Sequence, residues 1–146
     1  MKRIIVIVML MLFSGGISAQ AWNGKEDQKV QLGMNVWGYG TGSTAAYDYG
    51  ITNLISLGAG LNFYFDGYRN NDIGNNVFAF GRVNFHLKEA LQLPDQWDIY
   101  PGVNLGVLGR DFGLGVHLGA RYFFTQNWGA FAEVGNNGSL GVSYNF

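Results

Sequence analysis

From Lys29 to the end of the chain, apolar and polar side chains alternate in eight segments separated by clusters of Gly, Asn, Asp or Pro. Alternation with a period of two predicts β-strands, because successive side chains of a strand point to opposite faces. The predicted strands are 29–39, 43–52, 54–66, 77–87, 97–107, 112–123, 128–135 and 139–146. The predicted fold class is therefore all-β.

One register, applied to all eight segments, gives two strand faces of different character. The first face includes Leu61, Val103 and Leu118 and carries no charged, amide or histidine side chain. The opposite face collects the polar side chains of the strands, which are Gln31, Asn35, Asp48, Asn62, Asp66, Arg82, Asn84, His86, Asp98, Asn104, His117, Arg121, Glu133, Ser143 and Asn145. One side of the predicted sheet is thus apolar and the other is mixed.

The chain also has too few charges for an ordinary hydrated surface. Charged residues make up 13% of it, whereas soluble domains carry about 25%. A membrane barrel accounts for both observations, because it turns apolar side chains to lipid and polar ones to a narrow interior. We therefore predict an eight-stranded antiparallel up-and-down transmembrane β-barrel. A soluble periplasmic, lipocalin-like ligand-binding barrel is the alternative, and it needs Leu61, Val103 and Leu118 turned inward.

The first residues are typical of a cleaved signal peptide. A basic start at residues 2–3 precedes an apolar run over residues 4–13 and small residues up to position 21. That run is shorter than the roughly 20 residues that a membrane-spanning helix needs. We expect cleavage after Ala19 or after Ala21. The predicted organisation is a signal peptide over 1–19, a short N-terminal segment over 20–28 and an outer-membrane β-barrel domain over 29–146.

Four stretches of the second half carry a resemblance to a known family. They are Asp98–Val103, Gly119–Phe124, Phe131–Gly135 and Gly141–Phe146. With them the chain resembles the small outer-membrane β-barrel domain proteins of Gram-negative bacteria, often labelled porin-like, of the OmpA/OmpX type. The resemblance implies a location in the outer membrane, among its lipids and lipopolysaccharide, and a monomer. It also implies that the barrel-assembly machinery recognises the last strand through Leu140, Val142, Tyr144 and Phe146.

The inward face predicts a filled interior. Eight strands enclose a space only just wide enough for side chains. We expect a charge network of Arg82, Arg121 and Glu133, because buried charges are costly unless they are paired. Large side chains are expected to pack against inward glycines there, namely Trp37, Tyr39, Tyr64, Phe78, Phe80, Tyr100, Phe123 and Phe131. A narrow channel for ions or small solutes through this interior is the second alternative function.

The sequence favours a non-enzymatic protein with a structural or surface-interaction role. Ser143, His117 and Glu133 all face inward in the chosen register, yet they lie in no recognisable hydrolase motif. Two histidines on separate strands have no metal-site spacing, and no phosphate-binding loop is present, so we predict no metal and no cofactor. Removing the signal leaves a slightly acidic chain, which argues against nucleic-acid binding. The connection 67–76 is the predicted outward loop long enough for recognition.

Overall fold

The computed structural model describes residues 19–38, 41–65, 77–108 and 111–146. These residues form eight strands, which are β1 (Gln28–Trp37), β2 (Gly42–Gly50), β3 (Ile55–Tyr64), β4 (Val77–Phe85), β5 (Trp97–Leu108), β6 (Asp111–Phe123), β7 (Trp128–Gly135) and β8 (Gly138–Asn145). Within the described ranges, no helix is long and apolar enough to cross a membrane. The predicted strands agree with these bounds to within about two residues.

The strands close into a barrel. Each strand pairs antiparallel with its neighbour in the chain, in the order β1 to β8. The last strand returns to the first, with Val30 opposite Tyr144 and Leu32 opposite Val142. The predicted all-β, eight-stranded, up-and-down antiparallel barrel is therefore confirmed.

The two faces of the barrel wall point as the register predicts. Leu61, Val103 and Leu118 lie on the outside, with exposed fractions of 53%, 42% and 49%. Asp48 and Arg121 lie inside and are buried. The orientation that a lipocalin-like interior requires is therefore not the one observed at these three apolar positions.

The prediction that Trp37 points inward is wrong. Its side chain is 49% exposed, and so is that of its neighbour Val36, at 41%. The physical reason is a register irregularity between Asn35 and Trp37 in the pairing of β1 with β8, which interrupts the strict alternation of faces. The indole then lies over Gly138, where a side chain would collide with it.

Several other predictions lie outside the described residues. They concern residues 1–18 of the leader, Tyr39, Asp66 and the loop 67–76. Of the remaining predicted inward aromatics, Tyr64, Phe80, Tyr100, Phe123 and Phe131 are buried and Phe78 is partly buried.

Large inward rings pack against inward glycines, as the sequence predicts. A Cβ atom on Gly119 would lie 2.2 Å from the ring of Tyr100, and one on Gly60 would lie 2.6 Å from the ring of Phe80. Carbon atoms do not approach this closely in proteins. These two wall positions must therefore be glycine for the interior to hold its large side chains.

The N-terminal segment covers one end of the barrel, which we call the closed end. Ala21 and Trp22 are buried there, although they precede β1. The Ala21 amide donates to the carbonyl of Asp95 at 2.8 Å, and the Trp22 indole donates to the carbonyl of Asn53 at 2.8 Å. The segment thus ties the β4–β5 connection to the β2–β3 connection beneath the lumen.

Candidate functional site

The polar interior is built around Asp48, which β2 directs into the lumen. Arg82 on β4 donates to it through Nε at 2.8 Å and through Nη2 at 2.5 Å, and Arg121 on β6 donates to it through Nη2 at 2.5 Å. All three residues are at most 4% exposed. One carboxylate therefore neutralises parts of two buried guanidinium groups, in a geometry that favours the charged forms of all three.

Glu133 on β7 forms a second centre beside the first. Its Oε1 accepts from Arg82 Nη1 at 2.9 Å, from Gln31 Nε2 at 3.1 Å and from the Tyr100 hydroxyl at 2.7 Å. The structure thus brings the predicted residues Arg82 and Glu133 together as an ion pair. Because all three donors bind Oε1, the other carboxylate oxygen receives none of them.

Arg121 joins the network through carboxylates other than the expected Glu133. It forms ion pairs with Asp48 and Asp98, and it also donates through Nε to Gln31 Oε1 at 2.7 Å. Its guanidinium carbon lies 4.1 Å from the ring centre of Tyr100, a cation–π distance. The network therefore joins side chains of the first, second, fourth, fifth, sixth and seventh strands across the lumen.

A second cluster lies next to the closed end and has the connectivity of a serine-hydrolase triad. His86 Nε2 is 2.8 Å from Ser56 Oγ, and His86 Nδ1 is 2.8 Å from Asp98 Oδ2. Ser56 and Asp98 are fully buried, and the imidazole stacks on the indole of Trp22 at 3.5 Å between ring centres. A nucleophile needs space for a substrate carbonyl, whereas Ser56 is fully buried in this arrangement.

The residues that the sequence places together on the inward face are Ser143, His117 and Glu133 instead, and the structure does not join those three. His117 Nε2 bonds to Asn84 Oδ1 at 2.7 Å, and Ser143 Oγ is buried without a hydrogen-bond partner. The Ser56 cluster was missed although a signal existed. Ser56 lies directly opposite Asn84 on β4, two residues before His86 on the same inward face.

The upper half of the lumen, away from the closed end, contains a cavity of about 90 Å³. Its wall includes the amides Asn62, Asn104 and Asn137, the rings of Phe78 and Phe80, and parts of Arg82, His117 and Glu133. The lumen thus has two parts. A dense charge network fills the lower part, and an amide-rich cavity occupies the upper part.

A family of unknown function, DUF6646, has a model that matches residues 12–139. The chain belongs to this family. A search of curated proteins found no match. The match covers most of the barrel of this DUF6646 protein, including every residue of the lumen network.

Across the described ranges, no group of three or more His, Cys, Asp or Glu side chains is placed to hold a metal ion. Both histidines form hydrogen bonds with other side chains: His86 with Ser56 and Asp98, and His117 with Asn84.

The outer face of this DUF6646 barrel carries aromatic pairs near the closed end. Trp97 packs edge-on against Tyr122 at 4.9 Å, and Trp128 packs against Tyr144 at 4.8 Å between ring centres. In the last strand, Leu140, Val142 and Phe146 are 52%, 46% and 70% exposed and Tyr144 is partly exposed. All four residues of the predicted assembly signal therefore lie on the outer face.

Proposed function

We propose that this protein is an integral outer-membrane β-barrel with a non-enzymatic structural or surface-interaction role in the envelope of a Gram-negative bacterium. The observation that carries the proposal is the polarity of the wall, which is apolar outside and charged inside. Every strand contributes a large exposed apolar or aromatic residue to the outer face, for example Leu32, Tyr47, Leu61, Val77, Val103, Leu118, Val134 and Val142.

An apolar surface that runs around the whole barrel is costly in water. Soluble monomers rarely expose contiguous apolar patches larger than a few hundred Å². In a bilayer the same surface is favourable, and the closed hydrogen-bond ladder leaves no strand edge between β8 and β1. The strand lengths of eight to thirteen residues fit the roughly nine to eleven residues of a tilted membrane strand.

The aromatic pairs near the closed end support the same proposal. Outer-membrane barrels carry aromatic girdles where the lipid headgroups begin, and Trp97, Tyr122, Trp128 and Tyr144 have the required outward positions. We propose lipids and lipopolysaccharide as the surroundings of the barrel, a cleaved signal peptide as its export signal, and recognition of Leu140, Val142, Tyr144 and Phe146 by the assembly machinery. We also propose that the protein is similar to OmpA/OmpX-type barrels and that it is a monomer.

The filled lumen argues against the alternative of a narrow channel. Arg82, Arg121 and Asp48 meet across the interior at hydrogen-bond distances, and Trp22 covers the end beneath them. A conducting path would have to open this network and displace the indole. The burial of Ser56 in the triad-like cluster supports the non-enzymatic part of the proposal.

Fractionation and electrophoresis test the proposal. The full chain, expressed in a Gram-negative host, should sediment with outer membranes and need detergent for release. The unboiled sample should migrate faster on detergent gels than the boiled one, because a folded membrane barrel resists the detergent. Release into the periplasmic fraction without detergent would contradict the membrane proposal.

A further inference from the structure

The cavity in the upper half of the lumen contains hydrogen-bond acceptors that have no donor. The Oδ1 atoms of Asn62, Asn104 and Asn137 are buried there without a hydrogen-bond partner, as is Nδ1 of His117. Asn62 and His117 are each only 6% exposed. A buried polar atom without a partner costs about 1–3 kcal/mol. Four such atoms around one cavity therefore indicate that something else donates to them.

The hydrogen bonds of the neighbouring groups fix the amide oxygen of Asn137 as an acceptor. Asn137 donates its amide nitrogen to Asn35 Oδ1 at 3.0 Å, and Asn62 donates its own to the Tyr64 hydroxyl at 3.3 Å. Asn35 in turn donates to the carbonyl of Ser43, so its oxygen must face Asn137. The amide oxygen of Asn137 therefore receives no donor, and the buried amide oxygens of Asn62 and Asn104 likewise have no partner.

The same reasoning applies to His117. Asn84 donates its amide nitrogen to Asp48 Oδ1 and to Ser56 Oγ, each at 3.4 Å, so its oxygen faces His117. His117 Nε2 must then carry the proton that it shares with Asn84 Oδ1. In the neutral ring, Nδ1 keeps a free lone pair. The imidazole thus adds another acceptor to the cavity.

The charges around the lumen favour a cationic donor. In the described residues, the charge network of the lumen contains two guanidinium groups, of Arg82 and Arg121, and three carboxylates, of Asp48, Asp98 and Glu133. The lysines at the closed end have their own carboxylate partners, Lys29 with Asp27 and Lys88 with Asp95. The network therefore carries one negative charge in excess when both histidines are neutral. Glu133 lines the cavity. Its Oε1 accepts the hydrogen bonds from Arg82, Gln31 and Tyr100, and its Oε2 accepts none of these three.

The size and the apolar wall of the cavity limit what the donor can be. About 90 Å³ holds a few water molecules or one small organic ion. Phe78 and Phe80 stack at 5.7 Å between ring centres on one side of it. Aromatic rings attract a cation and also contact a short alkyl group. The wall thus suits a molecule with a positive nitrogen at one end and one or two carbons at the other.

We propose that this cavity binds a small primary ammonium ion, of the size of ethylammonium. Its N–H groups donate to the amide oxygens of Asn62, Asn104 and Asn137 and to His117 Nδ1. Its charge balances the excess carboxylate, and its alkyl group contacts the phenylalanine rings. The proposal is independent of whether lipid or water surrounds the barrel.

Nuclear magnetic resonance titration of the folded full chain in detergent micelles tests the proposal. Ethylammonium should shift the side-chain amide signals of Asn104 and Asn137 with a saturable Kd of about 1 mM at best, given the ceiling on binding energy per heavy atom. Tetramethylammonium, which has the same charge but no N–H donor, should bind about tenfold more weakly or not at all. Sodium ions should behave like tetramethylammonium.

Two matched variants locate the site. Asn62→Ala removes one acceptor and should weaken ethylammonium binding about tenfold. Asn145→Ala removes an asparagine of equal burial, also with an unpartnered Oδ1, on the last strand near the closed end, and should leave the affinity unchanged. Shifts that never saturate, equal binding of tetramethylammonium or sodium, or an equal effect of Asn145→Ala would overturn the proposal. The comparison of the three cations needs no variant, so it holds even if Asn62→Ala does not fold.

Discussion

Replacing Asp48 by Asn removes the charge that two buried arginines share. Arg82 binds both carboxylate oxygens and Arg121 binds Oδ2, and all three side chains are almost completely buried. Removing one partner of a buried ion pair costs about 3–5 kcal/mol, because the remaining charge is left uncompensated. Asp48→Asn leaves Arg82 with Glu133 and Arg121 with Asp98. We therefore expect a loss within this range.

The measurement is equilibrium unfolding by urea in detergent micelles, followed by tryptophan fluorescence. The matched control is Glu89→Gln, which removes an exposed carboxylate of the β4–β5 connection. An exposed charge contributes at most about 1 kcal/mol, so this variant should unfold close to the wild type. If Asp48→Asn also unfolds within about 1 kcal/mol of the wild type, the network does not hold the lumen together as described.

Three further predictions follow from the wall and the lumen. Leu61→Lys on the outer face should lower stability in lipid vesicles by about 2–4 kcal/mol near the bilayer centre, whereas Leu91→Lys, equally exposed in the connection at the closed end, should have little effect. Equal stabilities would argue for water around the wall. Gly119→Ala should reduce the folded fraction in refolding assays, because its methyl group collides with an inward ring, whereas Gly81→Ala has space. A fluorophosphonate probe should not label Ser56 in the folded protein; labelling would show that substrates reach the buried cluster.

The fold could be predicted from the sequence because a single pattern repeats in all eight strands. Leu61, Val103 and Leu118 were assigned to the outside by alternation alone, and the structure places them there. Alternation assumes an uninterrupted register. It therefore failed at Trp37, where the pairing of β1 with β8 shifts.

The sequence predicts which side chains point into the lumen, but it does not predict which of them contact one another. Alternation identified Arg82, Arg121 and Glu133 as inward charges, but it could not say which strands meet at the same height. Alternation also places Asp48 on the inward face, but it does not indicate that Asp48 is the carboxylate that both arginines share. Pairing across the lumen depends on the stagger between strands. The alternation of side chains within a single strand carries no information about that stagger.

The role of the N-terminal segment could not be predicted for a different reason. Residues 20–28 do not alternate, so the pattern gives no position for Trp22. The indole is held by stacking on His86 and by its hydrogen bond to the Asn53 carbonyl. Both partners are distant in the sequence, and only the closed barrel brings them together.

The central claim is that the apolar outer face contacts lipid chains. The most direct test uses the protein in lipid nanodiscs with a nitroxide label on the acyl chains, observed by methyl resonance. We predict strong signal loss at Leu61, Val103 and Leu118, with little effect from a water-soluble gadolinium complex. Signal loss caused by the gadolinium complex at these three residues, with none from the acyl-chain label, would contradict the claim.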